Sequence, residues 1–185
     1  MARFYLLAAT ANVWVFIAIL LAGFAVQLAA GELPCPLCVM QRVALMLAAL
    51  GPLYILLRAR DGVLTCRVAA VGNGMAVVAA LVGVAASGRQ VLLHILPGDQ
   101  GFGSPVLGLH LYTWCLIAFL AQIAASGVML MACAWLEEKP VRWRVTGSTT
   151  LAFGAIVAAN LVSVIAEAGL HWDLPSDPVT YLLFK

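Results

Sequence analysis

The stretch FYLLAATANVWVFIAILLAGFAVQLAAG, Phe4 to Gly31, runs for 28 residues without a charge. A hydrocarbon core about 30 Å thick takes roughly 20 helical residues, so this run can span a bilayer with some to spare. Arg3 precedes it, as a charge precedes a secretion signal. The run is nevertheless about twice the usual apolar length of such a signal, and Leu28 spoils a small-x-small cleavage site before Gly31. It is expected to remain as a helix. The rest of the chain repeats the pattern: 64% of its 185 residues are hydrophobic and 18 are charged, where a soluble chain of this length carries about 46 charges. Disordered chains and small disulfide-framework proteins are excluded by this balance. A net charge of +2 leaves no basic surface for nucleic acid.

Outward from the first run, the charges mark the other spans. Residues 68–88 and 145–166 are uncharged, and Asn160 and Ser163 dilute the second of these. The uncharged run 100–136 opens on Gln-Gly-Phe-Gly-Ser-Pro, which reads as a loop, so its helix is expected from about Leu107. Between Arg42 and Arg58 lie only 15 residues, too few to span; extending back to Cys38 gives 20 and puts Arg42 one turn inside the helix. A charge at that depth is costly and calls for a role. The expectation is an all-α membrane protein: a four-helix transmembrane bundle plus a fifth, C-terminal transmembrane helix, in one integral membrane domain over residues 1–185. The helices are expected at about 4–30, 38–57, 68–88, 107–136 and 145–166, with 167–185 as an outer tail. With the N-terminus inside, inner segments hold Arg3, Arg58, Arg60, Arg67, Lys139, Arg142 and Arg144, against Arg42, Arg89 and Lys185 outside. The Lys/Arg bias therefore directs the 89–106 loop, the start of the second helix and the tail outward.

Five cysteines are present. Cys115 and Cys133 are 18 residues apart on one expected helix, about 27 Å, and cannot bond to each other. Cys66 is expected at the inner surface, and all three are expected to be small buried hydrophobes. Cys35 and Cys38 differ, because a two-residue spacer keeps their sulfurs close enough to form and break a disulfide. Cys38 stands near a helix N-terminus, which favours an anion, and Arg42 follows four residues later on the same face. The pattern predicts a Cys38 thiolate, with Cys35 the more exposed sulfur, and an arginine offering planar donors to a carbonyl or oxyanion. No metal site is expected: zinc would want four ligands where two thiolates stand, and haem attachment would want His where Val39 stands.

The segment Cys35-Pro-Leu-Cys38-Val-Met-Gln-Arg42-Val-Ala-Leu resembles the DsbB family of membrane thiol–quinone oxidoreductases, as does Arg89 to His94 through Gly108 to Trp114. The likeness covers roughly residues 8–136. It implies a bacterial inner-membrane protein with a cytoplasmic N-terminus and a periplasmic CxxC. It implies Cys35 and Cys38 as the catalytic pair, and a quinone, ubiquinone or menaquinone, as electron acceptor at Cys38 and Arg42. The partners it implies are the quinone pool and a periplasmic DsbA-like thiol oxidase. Two features depart from the family: the 89–106 loop carries no second cysteine pair, and a fifth helix follows the usual four. Exchange with a partner is then expected directly at Cys35.

Arg89, His94 and His110 flank the outer loop and are candidates for quinone contact or proton transfer, Arg89 and His94 foremost. They compete with a plainer role as interfacial anchors. Asn12, Gln27 and Gln122 are expected to form interhelical hydrogen bonds, and the five tryptophans to lie mostly near interfaces. The alternative class is a non-catalytic membrane subunit or assembly factor that retains a structural disulfide at Cys35–Cys38.

Overall fold

The computed structural model describes residues 1–62, 64–136, 143, 145–169, 178 and 180–184. Five helices long and apolar enough to cross a membrane occur among them. They are α1 (Ala2–Ala29), α2 (Pro36–Arg60), α3 (Cys66–Leu93), α4 (Leu111–Ala132) and α5 (Thr146–Ala168). Lys139, Arg142, Arg144 and Lys185 of the charge count, and Trp172, lie outside the described residues. Consecutive helices run antiparallel. The C-terminal ends of α1, α3 and α5 and the N-terminal ends of α2 and α4 therefore gather at one end of the bundle, where Gln27, Gln90, Ser163, Cys38 and Tyr112 lie.

Local chemistry sets the boundaries. Cys35 caps α2 and Pro36 opens it at N1, where a missing N–H is no loss, so the helix begins two residues before Cys38. Thr65 caps α3 by accepting the Val68 N–H at 3.3 Å. That helix continues to Leu93, through Arg89 rather than ending before it. α4 starts at Leu111, later than 107, because a tight turn precedes it: Val106 and Leu109 pair, and Leu107 takes φ 54°. α5 reaches Ala168, two residues beyond the expected 166, and so takes Glu167 into the helix rather than the tail.

Helix α2 packs on α3 through small residues. Ala48, Ala49, Ala69, Ala76 and Ala80 are buried, and a Cβ added at Gly51 would strike the Gly72 carbonyl. Close backbone approach of this kind is how helices associate where lipid removes the hydrophobic drive between them. Polar side chains cross the remaining interfaces. Asn12 Nδ2 donates to Gln122 Oε1 at 2.6 Å, joining α1 to α4. Asn73 Nδ2 donates to Tyr5 Oη at 2.7 Å, and that hydroxyl donates to the Met129 carbonyl at 3.1 Å, tying α3, α1 and α4 together. Trp14, midway along α1, donates to Thr149 Oγ1 of α5 at 3.2 Å. The outward faces carry exposed apolar side chains such as Leu7, Val78, Leu120, Leu151 and Val162, as a lipid-facing bundle requires.

Cys66 and Cys133 were not independent apolar residues. They form a disulfide at the end of the bundle opposite Cys35. Because α3 and α4 are antiparallel neighbours, the first residue of one lies level with the end of the other, with Cα atoms 4.9 Å apart. A separation of 67 residues hides this from a reading of spacing alone.

Candidate functional site

Cys35 and Cys38 are free thiols with sulfurs 2.7 Å apart. As the cap of α2, Cys35 turns its sulfur back over the first turn to accept the Cys38 N–H at 3.3 Å. Gln90 of α3 reaches across, its Nε2 lying 3.5 Å from Cys35 Sγ and 3.6 Å from Cys38 Sγ. Gln41 Nε2 donates to Gln90 Oε1 at 2.7 Å and fixes that amide. This geometry reverses the expected exposure. Leu33, Pro34 and Cys35 are all buried, with Cys35 at 6%, whereas Cys38 is half-buried and faces a cavity. As the cap, the Cys35 sulfur is turned back over the first turn of α2 and toward Gln90, whereas Cys38 is turned to the cavity.

The expected site of the thiolate changes for the same reason. A hydrogen bond from Cys38 holds the Cys35 thiol down at about 6 against the opposing effect of burial; the N–H groups of Cys38 and Leu37 and the Gln90 amide assist. In the reduced pair the anion is thus favoured at Cys35. Iodoacetamide modification of Cys35, followed by peptide mass spectrometry, should lose rate as pH falls through about 6. A midpoint at the ordinary cysteine value of about 8.5 would contradict this.

Arg42 lies one turn deeper than Cys38. Its Nη1 donates to Gln27 Oε1 at 2.8 Å and its Nη2 to the Gly23 carbonyl at 3.2 Å. The guanidinium also sits over the Phe24 ring, 5.2 Å from its centroid. α1 thus holds an α2 cation from one side. Cys38, Gln41, Arg42 and Gln27 line one part of a cavity of about 420 Å³. Its other walls are largely apolar, including Ile19, Leu20, Leu45, Ile117 and Ala118 of α1, α2 and α4. Cys115 also lines it, so this cysteine is more than core filling.

The loop between α3 and α4 roofs the cavity with Phe102, Gly103, Ser104, Val106 and Leu107. It is clasped to the chain before Cys35: the Glu32 carboxylate accepts from the Ser104 N–H at 3.0 Å and from the Ser104 hydroxyl. Gly103 makes the clasp feasible, since it takes φ 73° and a Cβ there would come within 2.9 Å of Glu32 Oε2. His94 and His110 stack on either side of Tyr112, with centroids 5.7 and 5.2 Å from it. His94 Nδ1 pairs with Asp99 Oδ1 at 3.0 Å, and His110 Nδ1 meets the Gly103 carbonyl at 3.0 Å. The Gly101 N–H and His94 together hold the Asp99 carboxyl below its usual range. These histidines shape the loop.

Among the candidates read from sequence, the structure brings Cys35, Cys38 and Arg42 together. It leaves His94 in the loop support and Arg89 exposed, neither lining the cavity. Gln90, next to Arg89, takes the place beside the sulfurs. The sequence reading assigns no role to Gln41 or Gln90; Gln41 stands inside an expected span, a signal of the same kind as Gln27, whereas Gln90 lies beyond the end of the uncharged 68–88 run.

A family model described as Disulfide bond formation protein DsbB matches residues 3–104. The chain belongs to the DsbB family. The match takes in α1 to α3, the CxxC, Arg42 and the loop as far as Ser104, and α5 lies beyond it. Similar DsbB relatives include Disulfide bond formation protein B 1 of Pseudomonas savastanoi pv. phaseolicola, 30% identical over 58% of this chain and 76% of that protein. Disulfide bond formation protein B of Pseudomonas syringae pv. tomato shows the same identity and coverage. That of Chromobacterium violaceum is 42% identical over 42% of this chain and 46% of its own length. No solved structure matches the chain. With five membrane-length helices, this DsbB-family chain is a multi-pass membrane protein.

Proposed function

We propose that the protein is a thiol–quinone oxidoreductase of the bacterial inner membrane, generating a disulfide at Cys35–Cys38 and passing it to a periplasmic thiol oxidase of DsbA type. One observation carries the reading: the Cys38 sulfur faces an apolar cavity of about 420 Å³ whose polar part holds Arg42. A cavity of that size, mostly apolar with a few convergent polar groups, fits a planar quinone head with an apolar tail. When bound, a quinone accepts two electrons and two protons as the two thiols become one disulfide.

The chain's own residues divide the remaining work. Arg42 offers guanidinium N–H groups to an acceptor oxygen, held in place from α1 by Gln27 and Gly23. A partner's thiolate attacks Cys35 and releases Cys38, the sulfur that faces the cavity. Cys35 is a good exchange partner because its thiolate is a stabilised leaving group once the mixed disulfide resolves. Since Cys35 is buried, a protein thiol reaches it when the Glu32–Ser104 clasp opens. Exchange occurs there directly, without a second outer cysteine pair. The CxxC end faces the periplasm on the Lys/Arg bias.

The test is turnover. Purified protein in detergent, given a dithiol donor and a soluble quinone, is expected to reduce the quinone catalytically. No quinone-linked turnover in protein with both thiols intact would favour the non-catalytic subunit instead. A second expectation concerns the clasp. Glu32→Ala should raise the quinone KM by about 2- to 10-fold, the scale of one or two lost hydrogen bonds, while speeding exchange with a protein thiol. Equal slowing of both would show that Glu32 merely supports the fold.

A further inference from the structure

A second ionisable side chain is buried near the cysteine pair, and nothing in the chemistry above uses it. Glu167, one residue from the end of α5, has a fully buried side chain (0% exposed), and neither carboxylate oxygen has a hydrogen-bond partner among the described residues. Burying a carboxylate without donors is costly unless charge compensates it. Glu167 stands one turn beyond Ser163 on the same face of α5, and Ser163 meets Gln27, the residue that holds Arg42 of α2. Cys38 and Cys115 of α4 line the same cavity as Arg42. Glu167 and Arg42 do not form a direct salt bridge among the described residues. Neutral contacts link the same elements: Gln27, which accepts from Arg42, donates through Nε2 to Ser163 Oγ of α5 at 2.9 Å and to Tyr181 Oη at 3.1 Å. From α1, then, Arg42 is held by the Gln27 amide and the Gly23 carbonyl, and Gln27 carries the link on to α5 one turn before the buried carboxylate.

We propose that α5 is the electrostatic back wall of the cysteine–arginine site, with the Glu167 carboxylate offsetting part of the positive charge that Arg42 presents to the Cys35–Cys38 pair. The consequence for function rests on the reading of this pair as the working redox centre. The charge argument has a definite sign. A carboxylate near the pair disfavours its thiolate, both directly and by drawing on Arg42. The fifth helix, which lies beyond the family match, thereby makes the thiolate less stable and more nucleophilic than Arg42 alone would leave it.

The test is a pH titration of thiolate ultraviolet absorbance on the reduced full-length protein, with Cys66→Ala, Cys115→Ala and Cys133→Ala as the common background so that only the Cys35–Cys38 pair titrates. Glu167→Gln, which keeps the shape and removes the charge, should lower the thiolate midpoint by on the order of one unit. Glu167→Asp should stay near the parent. Midpoints that agree in the Gln variant and the parent would overturn the proposal, since a carboxyl that is neutral there sets no charge. Glu167→Met repeats the measurement if the Gln variant does not fold. Loss of the helical fold in both would assign Glu167 to the bundle's stability, against the proposal. No quinone is present in this titration, so its outcome is separate from the turnover test: a protein without turnover can still show the shift, and one with turnover can lack it.

Discussion

With Cys38 replaced by Ser, dithiol-driven quinone reduction is expected to fall by at least about 10³-fold, the scale of losing a covalently acting group. Cys38 is the member of the pair that lines the cavity, while Cys35 points back into the cap of α2. A serine keeps the size and the helix start, so the loss isolates the sulfur. Cys115 lines the same cavity, so the comparison is made in a Cys115→Ala background. The spectrum gives a second reading. A thiolate held against a quinone gives a visible charge-transfer band, expected in Cys35→Ser, where Cys38 is left unpaired, and absent in Cys38→Ser. Turnover that survives in Cys38→Ser, or a band that persists there, would sink the assignment.

The spans were legible because transfer of charge into hydrocarbon is so unfavourable that uncharged runs and membrane helices nearly coincide. Cys35, Cys38 and Arg42 were legible for a related reason: a helix start with two thiols and a charge one turn deeper is a local pattern, readable from spacing. The rest of the site comes from contacts across the bundle. Gln90 is 52 residues from Cys38 and Ser104 is 72 from Glu32, and no local periodicity links them. The roles within the pair were also reversed by a local detail. Cys35 is the helix cap, and capping decides which sulfur is buried and which gains donors. Arg89 was chosen for its charge near the loop. In the structure a helix extended to Leu93 turns it outward and sends its neutral neighbour Gln90 to the sulfurs. Glu167 escaped because two further residues of helix separate a solvated tail from a buried carboxylate. Boundaries of that kind depend on packing against α1 and α2 rather than on the α5 sequence.

Replacing Arg42 by Ala is expected to raise the quinone KM by about 10- to 100-fold, the range for one or two hydrogen bonds from a charged donor, with a smaller effect on kcat. The side chain is held at two nitrogens, by Gln27 Oε1 and the Gly23 carbonyl, and its remaining N–H groups are available to an acceptor in the cavity. Arg42→Lys should recover little of the affinity. An ammonium cannot serve Gln27, Gly23 and a cavity oxygen from the positions that a planar fork occupies, although it keeps the charge. The comparison separates geometry from charge. If Lys restores the KM, charge alone matters and the α1 contacts are incidental. If Ala leaves the KM unchanged, Arg42 is outside the binding site, and its depth in the membrane needs another cause. Gln27→Ala supplies the complementary measurement. It removes the acceptor of the 2.8 Å bond and leaves the guanidinium charged, so a rise in KM smaller than that of Arg42→Ala but in the same direction is expected from loss of positioning.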